Sequence, residues 1–176
     1  GFPALIWHLA ARQETMAIKS SDPFPARAEN FLSDLMREHY QVGAGLKENL
    51  EIAPIYERNA DLFTAASVRE RIAAMDRDNT KESRHLADFA IGSFIENAVK
   101  QLSEAITNAE LKATVEWDGK PIQYQNVRSV LVRESDYRRR HDLQDRQLKV
   151  TVQQNPARSE RLKTQHQIVS DLGFNS

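Results

Sequence analysis

No cysteine occurs among the 176 residues, so a disulfide framework and thiolate metal sites are excluded and the fold must rest on packing alone. A cysteine-free chain of this kind fits a reducing compartment, and we expect a soluble, cytoplasmic protein. Charge of one sign is lacking too: the formal net charge is -1, which gives no general attraction to nucleic acid. Nor is there a long hydrophobic run. The most apolar stretch, Phe2 to Ala11, is interrupted by His8 and has no cationic region before it, so it suits neither export nor a membrane span.

What is present describes one ordinary domain. Hydrophobic residues make up 40% and charged residues 28%, enough apolar surface for a self-sufficient core at this length. The chain opens at Gly1, while Met16 begins a conventional soluble start. We therefore expect the first fifteen residues to be upstream sequence, and we take residues 1–24 as an extra N-terminal segment and residues 25–176 as the helical domain. Charge is unevenly spread. Residues 1–119 hold 13 basic and 19 acidic side chains, or -6, whereas residues 120–176 hold 11 and 6, or +5. The two halves can attract each other within the fold, which needs no further molecule; the other reading is a basic face offered to a partner.

Helical periodicity dominates. From Pro25 to about Val42, residues Phe31, Leu32, Leu35 and Met36 share a face, and Gly43 and Gly45 stop the helix. A second helix is expected from Pro54 through Ile55, Asn59, Leu62 and Phe63 to Thr64, which caps a third running through Val68, Ile72 and Met75. Between Thr80 and Thr114 there is no proline and only Gly92. Leu86, Phe89, Ala90, Ala98, Leu102, Ala105, Ile106 and Ala109 sustain one stripe there, predicting a helix longer than about 45 Å at about 1.5 Å per residue. Asn79 and Glu82 stand at capping-box spacing at its start, and the small residues Ala98, Ala105 and Ala109 admit a close neighbour.

The period then changes to two. Val115 and Trp117, the Asp118-Gly119 turn, and Ile122 and Tyr124 predict a β-hairpin near 114–125, with Pro121 limiting its pairing. Helix resumes with a short turn at Val127 to Val132, a helix from Ser135, and another opened by Asn155-Pro156 and ended by Gly173. The expected fold class is mainly α, a helical bundle with one long central helix and a small β-hairpin.

Catalytic signatures are missing. His8, His39, His85, His141 and His166 include no pair that lets one helix face grip zinc, and HExxH does not occur. Glu82 and His85 form a single Glu-x-x-His unit where di-iron sites need two. There is no Gly-x-Ser-x-Gly elbow, and Gly43-Ala44-Gly45 follows a helix, not the strand a phosphate loop requires. Arg138-Arg139-Arg140-His141 is basic, but Glu134, Asp136, Asp142 and Asp145 dilute its field, which disfavours nucleic acid as partner.

The blocks GAGLKENLEIAPIYERNADLFTAASV, ADFAIGSFIENAVKQLSEAITNAELKATV, WDGKPIQYQNV and RESDYRRRHDL resemble the N-terminal helical region of oligoendopeptidase F-like and thimet-like zinc metallopeptidases, over roughly residues 28 to 174. The resemblance implies a non-catalytic helical wall or lid over a peptide channel. It also implies zinc only in a catalytic domain downstream of this chain, which would be the principal partner, with peptides as a further one. No catalytic, cofactor or metal residue is assigned here. Trp117, Tyr124, Tyr137 and Arg140 are the candidates for substrate or domain contact, because aromatic and arginine anchors carry much interface energy; packing and surface ion pairing are their structural alternatives. The rival function is a stand-alone helical interaction module with a basic C-terminal half.

Overall fold

The apolar stripes of the sequence become two cores strung along one helix. A computed structural model describes residues 22–173, so expectations for the first 21 residues, including the Phe2 to Ala11 stretch and His8, lie outside the described residues. Among the described residues there are seven α-helices and one two-stranded antiparallel hairpin, the mainly α architecture anticipated above.

Helix α1 (Phe24–Gly43) starts where Asp22 Oδ1 accepts the Phe24 N–H at 3.0 Å, with Pro25 in the first turn. Phe24, which the sequence places just before the helical domain, is buried in the first core. Of the expected stripe, Phe31, Leu32 and Leu35 join the core, but Met36 is 43% exposed and Glu38 is buried in its place. The Glu38 carboxylate accepts Lys47 Nζ at 2.6 Å and the Glu51 N–H at 2.7 Å, closing the loop after α1.

The second expected helix is broken in two. Helix α2 (Ala53–Arg58) ends at Asn59, whose side-chain amide donates to the Ile55 carbonyl at 2.9 Å and competes with continuation of the helix. A 3-10 turn over Ala60–Phe63 then swings Leu62 and Phe63 inward. Helix α3 (Ala65–Asp78) is capped by Thr64, which accepts the Ser67 N–H at 3.0 Å.

Helix α4 (Lys81–Lys112) has 32 residues, about 48 Å at about 1.5 Å each. Its cap is Thr80, which accepts the Ser83 N–H at 3.1 Å, and not the Asn79–Glu82 box. Asn79 is occupied with ending α3 in the left-handed conformation (φ 42°), which is incompatible with the extended backbone of an N-cap. Ala98 and Ala105 are also corrected: both are exposed. Beyond the first core, segments beside α4 are also tied to it by polar side chains. Glu104 accepts the Ala53 N–H at 2.6 Å, and Asn108 both accepts the Leu50 N–H at 2.7 Å and donates to its carbonyl at 3.0 Å. These bonds satisfy backbone groups that would otherwise lose water without a partner.

The first core surrounds Phe31. Its ring lies 4.9 Å from Tyr56 and 4.7 Å from Phe63, with Phe24 and Phe89 behind. Burial in this apolar site pushes the Tyr56 phenol well above its ordinary range.

The second core forms at the other end of α4. Strands β1 (Thr114–Trp117) and β2 (Lys120–Gln123) pair with Val115 opposite Ile122, and Asp118 (φ 51°) and Gly119 (φ 73°) supply the expected tight turn. Tyr124 leaves the strand and opens a 3-10 turn, although its N–H still donates to the Ala113 carbonyl at 2.9 Å. Helix α5 (Val127–Arg133) and helix α6 (Tyr137–Gln153) follow. Asp136, not Ser135, caps α6 by accepting the Arg139 N–H at 3.0 Å. Val115, Trp117, Val127 and Leu143 are the buried residues of this core.

Helix α7 (Asn155–Asp171) returns antiparallel along α4 without burying any residue fully. Its attachment is largely polar. Arg158 pairs with Glu110, Arg161 donates to Ser103 Oγ at 2.9 Å and to Glu96 at 2.8 Å, and Gln165 donates to Glu96 at 2.8 Å. Glu96, Ser103 and Glu110 recur every seven residues, a spacing that keeps one side of a helix facing one neighbour. Here the acidic first half and the basic second half of the chain meet within the fold.

Candidate functional site

The hairpin and the start of α6 bring together the blocks WDG and RESDYRRR, which stand 14 residues apart at their nearest in sequence, from Gly119 to Arg133. The pivot is Arg139. Its guanidinium lies 4.7 Å from the Trp117 ring centre, donates to Asp118 at 2.6 Å, and donates to Glu134 at 2.8 Å. One planar cation therefore stacks on an aromatic face while its edge binds two carboxylates.

The four sequence candidates all belong to this unit, in different states. Trp117 is 9% exposed and packs into the second core. Tyr124 packs against the same core, and its hydroxyl lies 2.9 Å from that of Thr151 on α6. Arg140 donates to the carbonyls of Glu134 and Ser135, both at 2.8 Å, and pins the turn before α6. Tyr137 is 72% exposed, with the Arg140 guanidinium 6.0 Å from its ring. Of the four, Tyr137 offers the most surface for a contact.

Sequence reasoning missed Arg139, which looked like one member of a basic run. The available signal was its distance from the Glu134 and Asp136 pair: a cation three to five residues into a helix can reach carboxylates at the preceding turn. The Arg139 guanidinium, together with the backbone N–H of Asp136, holds the Glu134 carboxyl below its usual range. Because the folded value lies below the unfolded one, the link is complete above the ordinary glutamate range and is lost as pH falls through the depressed value. In a Trp7→Phe background, which leaves Trp117 as the sole indole, we predict an acid-side change in Trp117 emission. In Arg139→Gln the link between Glu134 and Trp117 is gone, so that acid-side transition should disappear, and a transition unchanged from the parent would contradict the assignment.

Metal chemistry has no assembled ligand set among the described residues: no three His, Asp or Glu side chains converge. His141 Nδ1 lies 3.1 Å from Asp145 on the exposed surface of α6. His39 is partly buried, and desolvation pushes its pKa down. A shallow cleft of about 200 Å³ between α1 and α2 is lined by Asp34, Arg37, Glu38, Lys47, Glu51 and Arg58, whose charges are paired with one another. It presents neither an unpaired nucleophile nor a phosphate cradle. No described helix is long and apolar enough to cross a membrane. Comparison with protein-family models, with curated proteins and with solved structures returned no match.

Proposed function

We propose that this chain is the non-catalytic N-terminal helical domain of a zinc-dependent oligopeptidase, acting as a wall or lid of its peptide channel. The observation that carries the reading is the joining of the two blocks that resemble that family: Trp117 and Asp118 from one are bound by Arg139 from the other. A resemblance spread over separate segments gains weight when those segments form one physical unit, because their residue types are then required together.

On this reading the domain supplies shape and docking surface, and zinc with its water-activating chemistry belongs to the domain that follows. The rival module, with a basic half offered to an acidic partner, loses much of its charge to internal pairs: Arg139, Arg146, Arg158 and Arg161 each meet a carboxylate of the same chain. The test is the natural reading frame beyond Ser176. The proposal expects HExxH with a further glutamate downstream; a frame that ends without that motif sinks it.

A further inference from the structure

Among the seven described helices, α7 alone supplies no buried residue to either core. Its apolar contacts are partial: Ile168 is half-buried, and Leu172, just past the helix end, packs half-buried against the first core. What ties α7 to α4 is charge. The Arg158–Glu110 and Arg161–Glu96 pairs leave each of the four side chains about a third exposed. Ion pairs that wet are screened by salt and contribute up to about fivefold each in an equilibrium constant, well short of a buried leucine.

The join to α6 has the form of a hinge. Only Gln154 separates the two helices. Pro156, in the first turn of α7, has no N–H to return to the Val152 carbonyl, so that residue adds no backbone hydrogen bond to stiffen the join. Arg158 donates to the Thr151 carbonyl at 3.3 Å as well as pairing with Glu110, so one side chain closes both the hinge and the contact with α4.

At about 100° per residue, Glu96, Val99, Ser103, Ile106 and Glu110 fall within about 80° of one another on α4. Glu96, Ser103 and Glu110 are the residues that α7 engages, so Val99 stands on the covered side. It is 1% exposed yet belongs to neither core. Its burial therefore comes from the helix laid over it. We infer that α7 is a latch held by charge: it opens from α4 as a unit about Gln154 while both cores stay closed, and so uncovers the Val99 face of α4. That face is available only while the latch is open. The inference goes beyond the proposed function and does not depend on whether a zinc domain follows the chain.

Native-state hydrogen exchange of the 176-residue chain tests the opening, because a released helix of 17 residues is marginal in water and its amides exchange. At about 0.1 M sodium chloride, α7 amides should exchange at least about tenfold faster, relative to their unstructured rates, than the slowest amides of α1 and of the first-core end of α4. Raising the salt to about 1 M should speed α7 about tenfold further and leave those reference amides within about twofold. Glu96→Lys should reproduce the salt effect, and adding Arg161→Glu should restore slow exchange by reversing the pair. Unchanged reference amides show that the fold survives in each variant. Because the chain has no cysteine, Val99→Cys supplies a single thiol, whose labelling by a maleimide should quicken with salt by the same factor as α7 exchange. Exchange of α7 in step with the first core, no response to salt, a reversed pair that exchanges as fast as Glu96→Lys alone, or a thiol labelled only on global unfolding would each overturn the inference.

Discussion

Phe31→Ala is expected to destabilise the protein by about 3–5 kcal/mol, the largest effect of any single truncation considered for this fold. Phe31 is 1% exposed, and its ring meets Tyr56, Phe63 and Phe89, which come from three different elements. Removing it leaves a cavity that none of these neighbours can fill, since each ring is held by its own helix or turn. The edge-on packing of the ring against its aromatic neighbours disappears as well, adding to the cost of exposing apolar surface. Urea unfolding followed by circular dichroism measures the loss. A cost below about 1 kcal/mol would mean that the first core is not organised around this ring.

The second large effect is expected from Leu143→Ala, at about 2–5 kcal/mol. Leu143 is fully buried and is the residue through which α6 enters the core formed by Val115, Trp117 and Val127. The two cores are separate clusters, so the variants should differ in where protection is lost and not only in how much. In hydrogen exchange, Leu143→Ala should first expose the amides of β1, β2, α5 and α6, while Phe31→Ala should first expose those of α1 to α3. Uniform loss across all seven described helices in both variants would show that the cores open as one unit.

Much of this architecture was legible in the sequence, for identifiable reasons. The absence of proline from Thr80 to Thr114 left α4 uninterrupted, and Asp118-Gly119 between alternating apolar residues specified the hairpin turn through its positive φ angles. Misreadings occurred where a side chain could serve two neighbouring elements. Asn79 was equally suited to end α3 or begin α4, and Asn59 to sit within a helix or stop it; backbone conformation decided both. Ala98 and Ala105 were misplaced because α4 is contacted along several sides, so a single apolar stripe does not describe it. Its partners attach through Glu96, Glu104, Asn108 and Glu110, polar residues that periodicity arguments set aside.

The candidate site was less legible than the fold. Trp117, Tyr124, Tyr137 and Arg140 lie in one neighbourhood, but the residue that binds that neighbourhood together is Arg139, indistinguishable by composition from Arg138 and Arg140 beside it. Direction on the helix separates them. Arg139 faces the hairpin, Arg140 faces the preceding turn, and Arg138 has no partner among the described residues. Three adjacent arginines thus carry three different roles, set by about 100° of rotation per residue.

On the proposed function the domain supplies shape and the chemistry lies in another domain, so this chain should be inert by itself. Cleavage of a quenched-fluorescence peptide library by the purified chain, with and without added zinc, tests this when set beside a measurement of bound zinc in the same sample. We predict no cleavage above background and no stoichiometric zinc. Cleavage that requires zinc and is abolished by a chelator would contradict the scaffold reading, and would place a working metal site within these 176 residues.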